Sequence, residues 1–238
     1  MSKIKTEHVK LDDIHIAYTQ YGDGTNLLLL HGNSGSKEFF RRYQLDYFSN
    51  YHTYALDSRG HGQSRSKDEC LSYEQQSMDV LNYCKTQGLT KTSVIGYSDG
   101  GNLALWLAVK APEIFTKVVA ISPNTLASGN KESVIAAIQK YLSAMKRLRK
   151  WGFPNKKQIM RFELMLTDTG ITESDLQNIK TRVMILYAEK DMIKEEHILK
   201  IAGDIPGCKL HKVLGCHHLN IAYQEDTIKE MQEFLNNN

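Results

Sequence analysis

No stretch of this chain approaches the roughly 20 apolar residues that a membrane-spanning helix requires, and the apolar run Leu27–Leu30 is only strand-sized. An excess of one charge is missing too. A formal net charge of +3 over 238 residues is too small to imply nucleic acid or a membrane surface as partner. The opening Met-Ser-Lys-Ile-Lys-Thr-Glu-His carries basic residues with no apolar run behind them, so it does not read as a secretory signal. Proline is scarce, at four, and the four cysteines (Cys70, Cys84, Cys208, Cys216) include no CxxC pair. Free thiols in a reducing compartment, and hence the cytoplasm, are the expected setting. The chain also lacks a metal-spaced His/Cys/Asp cluster, a phosphate-binding Gly-Lys-Ser/Thr loop and a GxGxxG after a strand. Neither cofactor nor metal is therefore expected.

What is present is alternation. Two strands with a turn at Asp12-Asp13 (His8–Leu11 and Ile14–Thr19) read as an antiparallel start. Short apolar runs suited to strands buried on both faces follow: Asn26–Leu30, Thr53–Leu56, Ser93–Gly96, Lys117–Ile121, Arg182–Tyr187 and Lys209–Leu214. Helical spacing fills the gaps at Lys37–Phe48, Tyr73–Gln87, Asn102–Lys110, Glu195–Ile205 and Glu225–Leu235. This order predicts an α/β fold, a mostly parallel eight-stranded sheet with helices on both faces. One interval breaks the rhythm. From 125 to 179 there is no strand pattern, and Val134, Ile138, Tyr141, Leu142, Met145 and Leu148 form an amphipathic stripe. The expected organisation is a core of 1–124 and 180–238 with a helical lid at 125–179.

Gly96-Tyr97-Ser98-Asp99-Gly100 matches GxSxG, with a strand leading in and a helix leading out. A sharp strand-to-helix turn lifts the serine oxygen above the sheet, and the helix N-terminus below favours developing negative charge. Serine alone is a poor nucleophile and needs a base, itself oriented by an acid. The acid candidates lie just past Arg182–Tyr187, in Ala188-Glu189-Lys190-Asp191, and the base candidates just past the last strand, in Gly215-Cys216-His217-His218. Asp191 is preferred to Glu189 because two further loop residues let it turn back, and His218 is preferred to His217. Cys216 invites a cysteine-nucleophile or metal reading, but no tight ligand cluster surrounds it in the sequence. Two backbone N–H groups are needed for an oxyanion. They are expected from Asp99 and, in His31-Gly32-Asn33-Ser34-Gly35, from Asn33, whose side chain would then be replaceable.

These residues, with Asp57-Ser58-Arg59-Gly60-His61-Gly62-Gln63-Ser64, resemble the α/β-hydrolase superfamily over nearly the whole chain. The resemblance implies a cap between the sixth strand and the following helix, and a structural rather than catalytic role for Asp57 and His61. It also implies hydrolysis of a small carboxylic ester through an acyl-enzyme. The aspartate nucleophile of haloalkane and epoxide hydrolases is replaced here by Ser98. Carbon–carbon bond hydrolysis by the same triad is the alternative, although Leu219 stands where such relatives usually carry an aromatic residue. A hydrolase-like binding or signalling protein is another. Between Lys140 and Phe162 stand eight basic residues and no acid: Lys140, Lys146, Arg147, Arg149, Lys150, Lys156, Lys157 and Arg161. They read as the solvated face of the lid, whose apolar side would select an uncharged acyl or aryl group. The competing reading is that they steer an acidic substrate.

Overall fold

Apolar runs too continuous for a half-wetted strand form the centre of one sheet, where both faces are covered. In the computed structural model, which describes residues 4–67 and 71–237, these are β3 (Thr25–Leu30), β4 (Tyr51–Leu56), β6 (Thr92–Tyr97), β7 (Phe115–Ile121) and β8 (Arg182–Lys190). The hairpin β1 (Glu7–Lys10) and β2 (Ile14–Tyr21) joins one edge, and β9 (Lys209–His217) forms the other. The order is β1-β2-β4-β3-β6-β7-β8-β9. Pairing is antiparallel around β2 and parallel from β4 to β9. All eight expected strands are present. A ninth, β5 (Arg65–Ser66), pairs with β2; two residues are too short to carry a hydrophobic period. Cys70 lies outside the described residues.

Alternate residues of each central strand feed opposite layers. Leu28, Leu30, Val94, Val118 and Val183 pack with α1 (Tyr73–Thr86), α2 (Asp99–Lys110) and α6 (Glu195–Asp204). Leu27, Leu29, Ile95, Val119 and Met184 pack with Phe40, Tyr43 and α7 (Glu225–Asn236). The expected helix Lys37–Phe48 is instead a 3-10 turn, Lys37–Phe40, running into a π-helical turn, Tyr43–Tyr47. Tertiary bonds at both ends override the regular period. Lys37 is held by Asp57 through both its N–H and its ammonium, at 2.7 and 3.0 Å, and the Tyr43 hydroxyl donates to the Ala222 carbonyl.

Between β7 and β8 the chain is helical, with α3 (Glu132–Leu148), α4 (Lys156–Leu164) and α5 (Glu173–Gln177). Ile138, Leu142 and Met145 of α3 pack on Ile159 of α4 in a small cluster of their own. Tyr141 and Leu148, which the helical stripe included, are exposed. Tyr141 meets the Phe162 ring, 4.8 Å away, and stays exposed because α4 has just nine residues and covers a narrow sector of α3. No helix among the described residues is long and apolar enough to cross a membrane.

Candidate active site

β6 ends at Tyr97 and α2 begins at Asp99, so Ser98 alone makes the corner, at φ 55° and ψ −118°. A positive φ is costly for a residue with a side chain, and surrounding bonds must hold it. The Ser98 N–H donates to the Ile121 carbonyl at 2.8 Å, and the Asn102 N–H to the Ser98 carbonyl at 3.0 Å. The motif glycines are required by contact. A Cβ on Gly96 would lie 2.0 Å from the Gly100 carbonyl oxygen, and one on Gly100 would lie 1.9 Å from that of Leu30. Helix α2 therefore starts three residues earlier than its apolar spacing indicates, directly beneath the hydroxyl.

Two strand ends bring partners to that hydroxyl. His218, just past β9, places Nε2 3.0 Å from Ser98 Oγ and Nδ1 2.7 Å from Asp191 Oδ1. His218 and Asp191 are both buried. Burial pulls the Asp191 pKa up. The hydrogen bond and charge of His218, with the Ser122 hydroxyl and the Ala188 N–H, outweigh it and hold the group below the ordinary carboxylate value. Glu189 and His217 point elsewhere: Glu189 accepts from the Gly215 N–H at the surface, and His217 is exposed. Cys216 is buried, its thiol donates to the Val213 carbonyl at 3.2 Å, and burial pushes its pKa up. It is neither poised as a nucleophile nor part of a ligand set. Two supports escaped the sequence reading. The Ser122 hydroxyl donates to Asp191 Oδ2 at 2.6 Å, and the Tyr97 hydroxyl to the His218 carbonyl at 2.8 Å. Ser122 directly follows β7, and this strand-end position was the available signal.

The N–H groups of Asn33 and Asp99 make no hydrogen bond to another described residue. The Asn33 side chain, expected to be replaceable, is not idle: its Nδ2 donates to Asp99 Oδ2 at 2.9 Å and to the Arg161 carbonyl at 2.7 Å. It ties the loop after β3 to the helix carrying the serine and to α4. The second Asp99 oxygen accepts from the Tyr73 hydroxyl at 2.9 Å. Burial raises the Asp99 pKa, with the Asn33 and Tyr73 bonds opposing the rise. Arg161 differs from the exposed residues of its basic stretch. It is half-buried, and its Nε donates to the Gly60 carbonyl at 2.8 Å.

The Asp57–Ser64 loop is engaged throughout in structural bonds. Asp57 takes Lys37 and the Gln63 N–H, Arg59 forms paired bonds to both Asp13 and Asp79, and Ser64 bridges the Asp57 carbonyl and the Ala17 N–H. His31 accepts from the Ser58 N–H at Nε2 and meets the Gly32 carbonyl at Nδ1, which fits the neutral Nδ1–H form. Burial lowers its pKa, and lowers that of His61 to about 3. His197, on α6, accepts from the Thr125 N–H. One group among the described residues could hold a cation: His211, Asp226 and Glu230, at the β9 edge. There His211 already meets Asp226 at 2.7 Å, and Lys209 meets Glu230 at 2.8 Å.

A strained serine hydroxyl, bonded to an imidazole that is bonded to a buried carboxylate, can be delivered to an electrophilic carbon. Residues 25–169 match the family described as alpha/beta hydrolase fold. Over 98% of its length the chain is 26% identical to serine hydrolase BPHL of Homo sapiens, covering 87% of that protein. In structure it is similar to carboxylesterase CesB (YbfK) of Bacillus subtilis, with a TM-score of 0.80 and 19% identity over 99% of this chain and 92% of that one. It is also similar to the meta-cleavage product hydrolase CumD of Pseudomonas fluorescens IP01, with a TM-score of 0.75 and 18% identity over 94% of each chain.

Proposed function

The chain belongs to the α/β-hydrolase family, and from that premise we propose that it is a serine hydrolase cleaving a small carboxylic ester through an acyl-enzyme. The observation that carries this reading is the run of bonds from Asp191 through His218 to Ser98, at 2.7 and 3.0 Å, ending on a serine held at positive φ. Ser98 Oγ attacks the ester carbon as its proton passes to His218 Nε2. The carbonyl electron pair moves onto oxygen, which the N–H groups of Asn33 and Asp99 receive. Collapse breaks the bond to the alkoxy oxygen, which leaves as the alcohol with the proton from His218. Water, deprotonated by the same imidazole, then attacks the acyl carbon, releases the acid and restores the Ser98 hydroxyl. Asp191 holds the Nδ1–H form of the ring and stabilises its cationic state without taking the proton.

Within this reading, 125–179 is the cap and 1–124 with 180–238 the core. The acyl or aryl group is uncharged. In support, six of the eight basic residues between 140 and 162 are exposed, and Arg161 is tied to Gly60. The free thiols of Cys84, Cys208 and Cys216 favour a cytoplasmic setting.

A panel of nitrophenyl acyl esters, with Ser98→Ala as control, tests the proposal. Multiple turnovers are expected from the wild type, with only a residual ~10³–10⁴-fold acceleration over water after the substitution, and fluorophosphonate labelling is expected at Ser98 alone. A stoichiometric burst that stalls would instead mark a binding protein. Turnover of ring-fission dienones with inert esters would mark carbon–carbon cleavage.

A further inference from the structure

Where α3 gives way to α4 the chain turns through Arg149–Trp151, a left-handed Gly152 and Phe153. Three large apolar side chains of this turn face water: Trp151 is 83% exposed, Phe153 68% and Leu148 52%. Trp151 is the most exposed large apolar residue among those described. Single exposed apolar side chains are ordinary, but three large ones exposed between 148 and 153 put an unusual amount of apolar surface in one turn. The charges within the turn are all basic, and the first acid beyond it, Glu163, is already paired with Lys146 at 2.7 Å. Arg147, Arg149 and Lys150 are exposed, none has an ion-pair partner among the described residues, and the sequence from 140 to 162 holds no carboxylate.

We propose that this turn is a peripheral docking surface for an anionic lipid bilayer. Trp151, Phe153 and Leu148 enter the interfacial zone, and Arg147, Arg149 and Lys150 lie on the headgroups. Tryptophan and phenylalanine favour that depth, and long basic side chains reach back to the lipid charge while their stems stay apolar. A second copy of the chain fits the turn poorly, because a two-fold contact sets a patch against itself and would oppose these cations to one another. A nucleic acid would use the cations and the rings but leave Leu148 without a partner. The overall charge of +3 gives no hint of the surface, because the cations are concentrated locally. Docking here also serves the proposed reaction. Arg161, whose carbonyl holds Asn33, lies five residues beyond Lys156 at the start of α4, about 7.5 Å along the helix. An apolar ester dissolved in the bilayer would thus be presented close to the helix whose Arg161 carbonyl holds the Asn33 loop. The binding itself does not depend on that reaction.

The full chain is mixed with vesicles of phosphatidylcholine alone or with phosphatidylglycerol. Trp106 is buried and donates its indole N–H to the Thr169 carbonyl, so an emission shift on binding reports Trp151. The expected result is co-sedimentation and a blue shift with anionic vesicles at 0.1 M salt, retained by Ser98→Ala and lost from Trp151→Ala/Phe153→Ala. Arg149→Glu or Lys150→Glu should weaken binding about fivefold or more each. Because the substituted side chains are exposed, nitrophenyl ester turnover in solution should remain that of the wild type. Four outcomes would overturn the proposal: no binding to anionic vesicles, equal binding by the double variant, a concentration-dependent dimer abolished by Trp151→Ala, or preference for a single-stranded oligonucleotide over the vesicles. Vesicle binding by a protein that hydrolyses no ester would leave this surface standing and remove only the reaction.

Discussion

Asp191 and Glu189 stand two residues apart, yet only Asp191 meets His218, at 2.7 Å; Glu189 accepts from a surface N–H. Asp191→Asn is therefore expected to lower kcat by roughly 10⁴-fold, by presenting the imidazole in the wrong tautomer, and Glu189→Gln to change it little. His218→Ala should match Ser98→Ala, because the two act as a unit, and His217→Ala should retain most activity. Ester turnover by the four variants checks the assignment, and a reversed order within either pair would move the role to the neighbour. Asn33 sharpens the point. Its amide bonds Asp99 and Arg161, so Asn33→Ala frees the loop that offers one of the two oxyanion donors. A donor misplaced by an ångström costs up to about a hundredfold. A fall of roughly ten- to hundredfold in kcat with a smaller change in KM is expected, and unchanged kinetics would mean the loop is held by its backbone alone.

At the scale of elements, the elbow and the α3–α4 hairpin behave oppositely. β6 is buried along its length and α2 as far as Ala108, and strand, turn and helix agree in one place. The hairpin has a small separate cluster and mostly exposed cations, so its electrostatic effect on the site is solvent-screened. The screening length falls from about 10 Å at 0.1 M salt to about 3 Å at 1 M. Over that range kcat/KM for neutral soluble esters should change less than about threefold, and carboxylate-bearing esters should not outperform them. If they do, and salt removes the advantage, Arg161 and its neighbours belong to the substrate site.

For the whole molecule, buried histidines set the response to acid. An unfolded histidine takes up its proton near pH 6.5, while burial lowers the pKa of His31 and brings that of His61 to about 3. Below about pH 6.5 the unfolded chain binds protons that the native chain refuses, so stability falls with pH, for His61 by up to about 1.4 kcal/mol per pH unit. The loss from His61 ends near its folded value of about 3. Asp99, raised by burial, works in the other direction as pH falls toward its unfolded value. Asp191, held low, contributes stability that is lost only as pH falls through its folded pKa. Urea unfolding at pH 7, 6 and 5 should show a shallower decline for His61→Gln than for the wild type. Parallel declines would mean that His61 is protonated in the folded state.

Read alone, the sequence determined the eight long strands, their alternation with helices and the place of Ser98, because burial on both faces and a strand-to-helix corner leave local patterns in the chain. It narrowed the acid and the base to two candidates each and preferred Asp191 and His218, but spacing alone could not bring either of them into contact with Ser98. Side chains change face at every residue of a strand, and β8 and β9 shift register between Ala188 and Lys190 while Gly215 turns to φ 69°. Spacing cannot follow those irregularities. Nor does local pattern reveal that Ser122 supports Asp191 across 69 residues, or that Asn33 reaches Arg161 across 128. Those bonds exist because the parallel strands gather their carboxyl ends at one edge of the sheet and α4 comes back to the Asn33 and Gly60 loops, a proximity that only the folded chain decides.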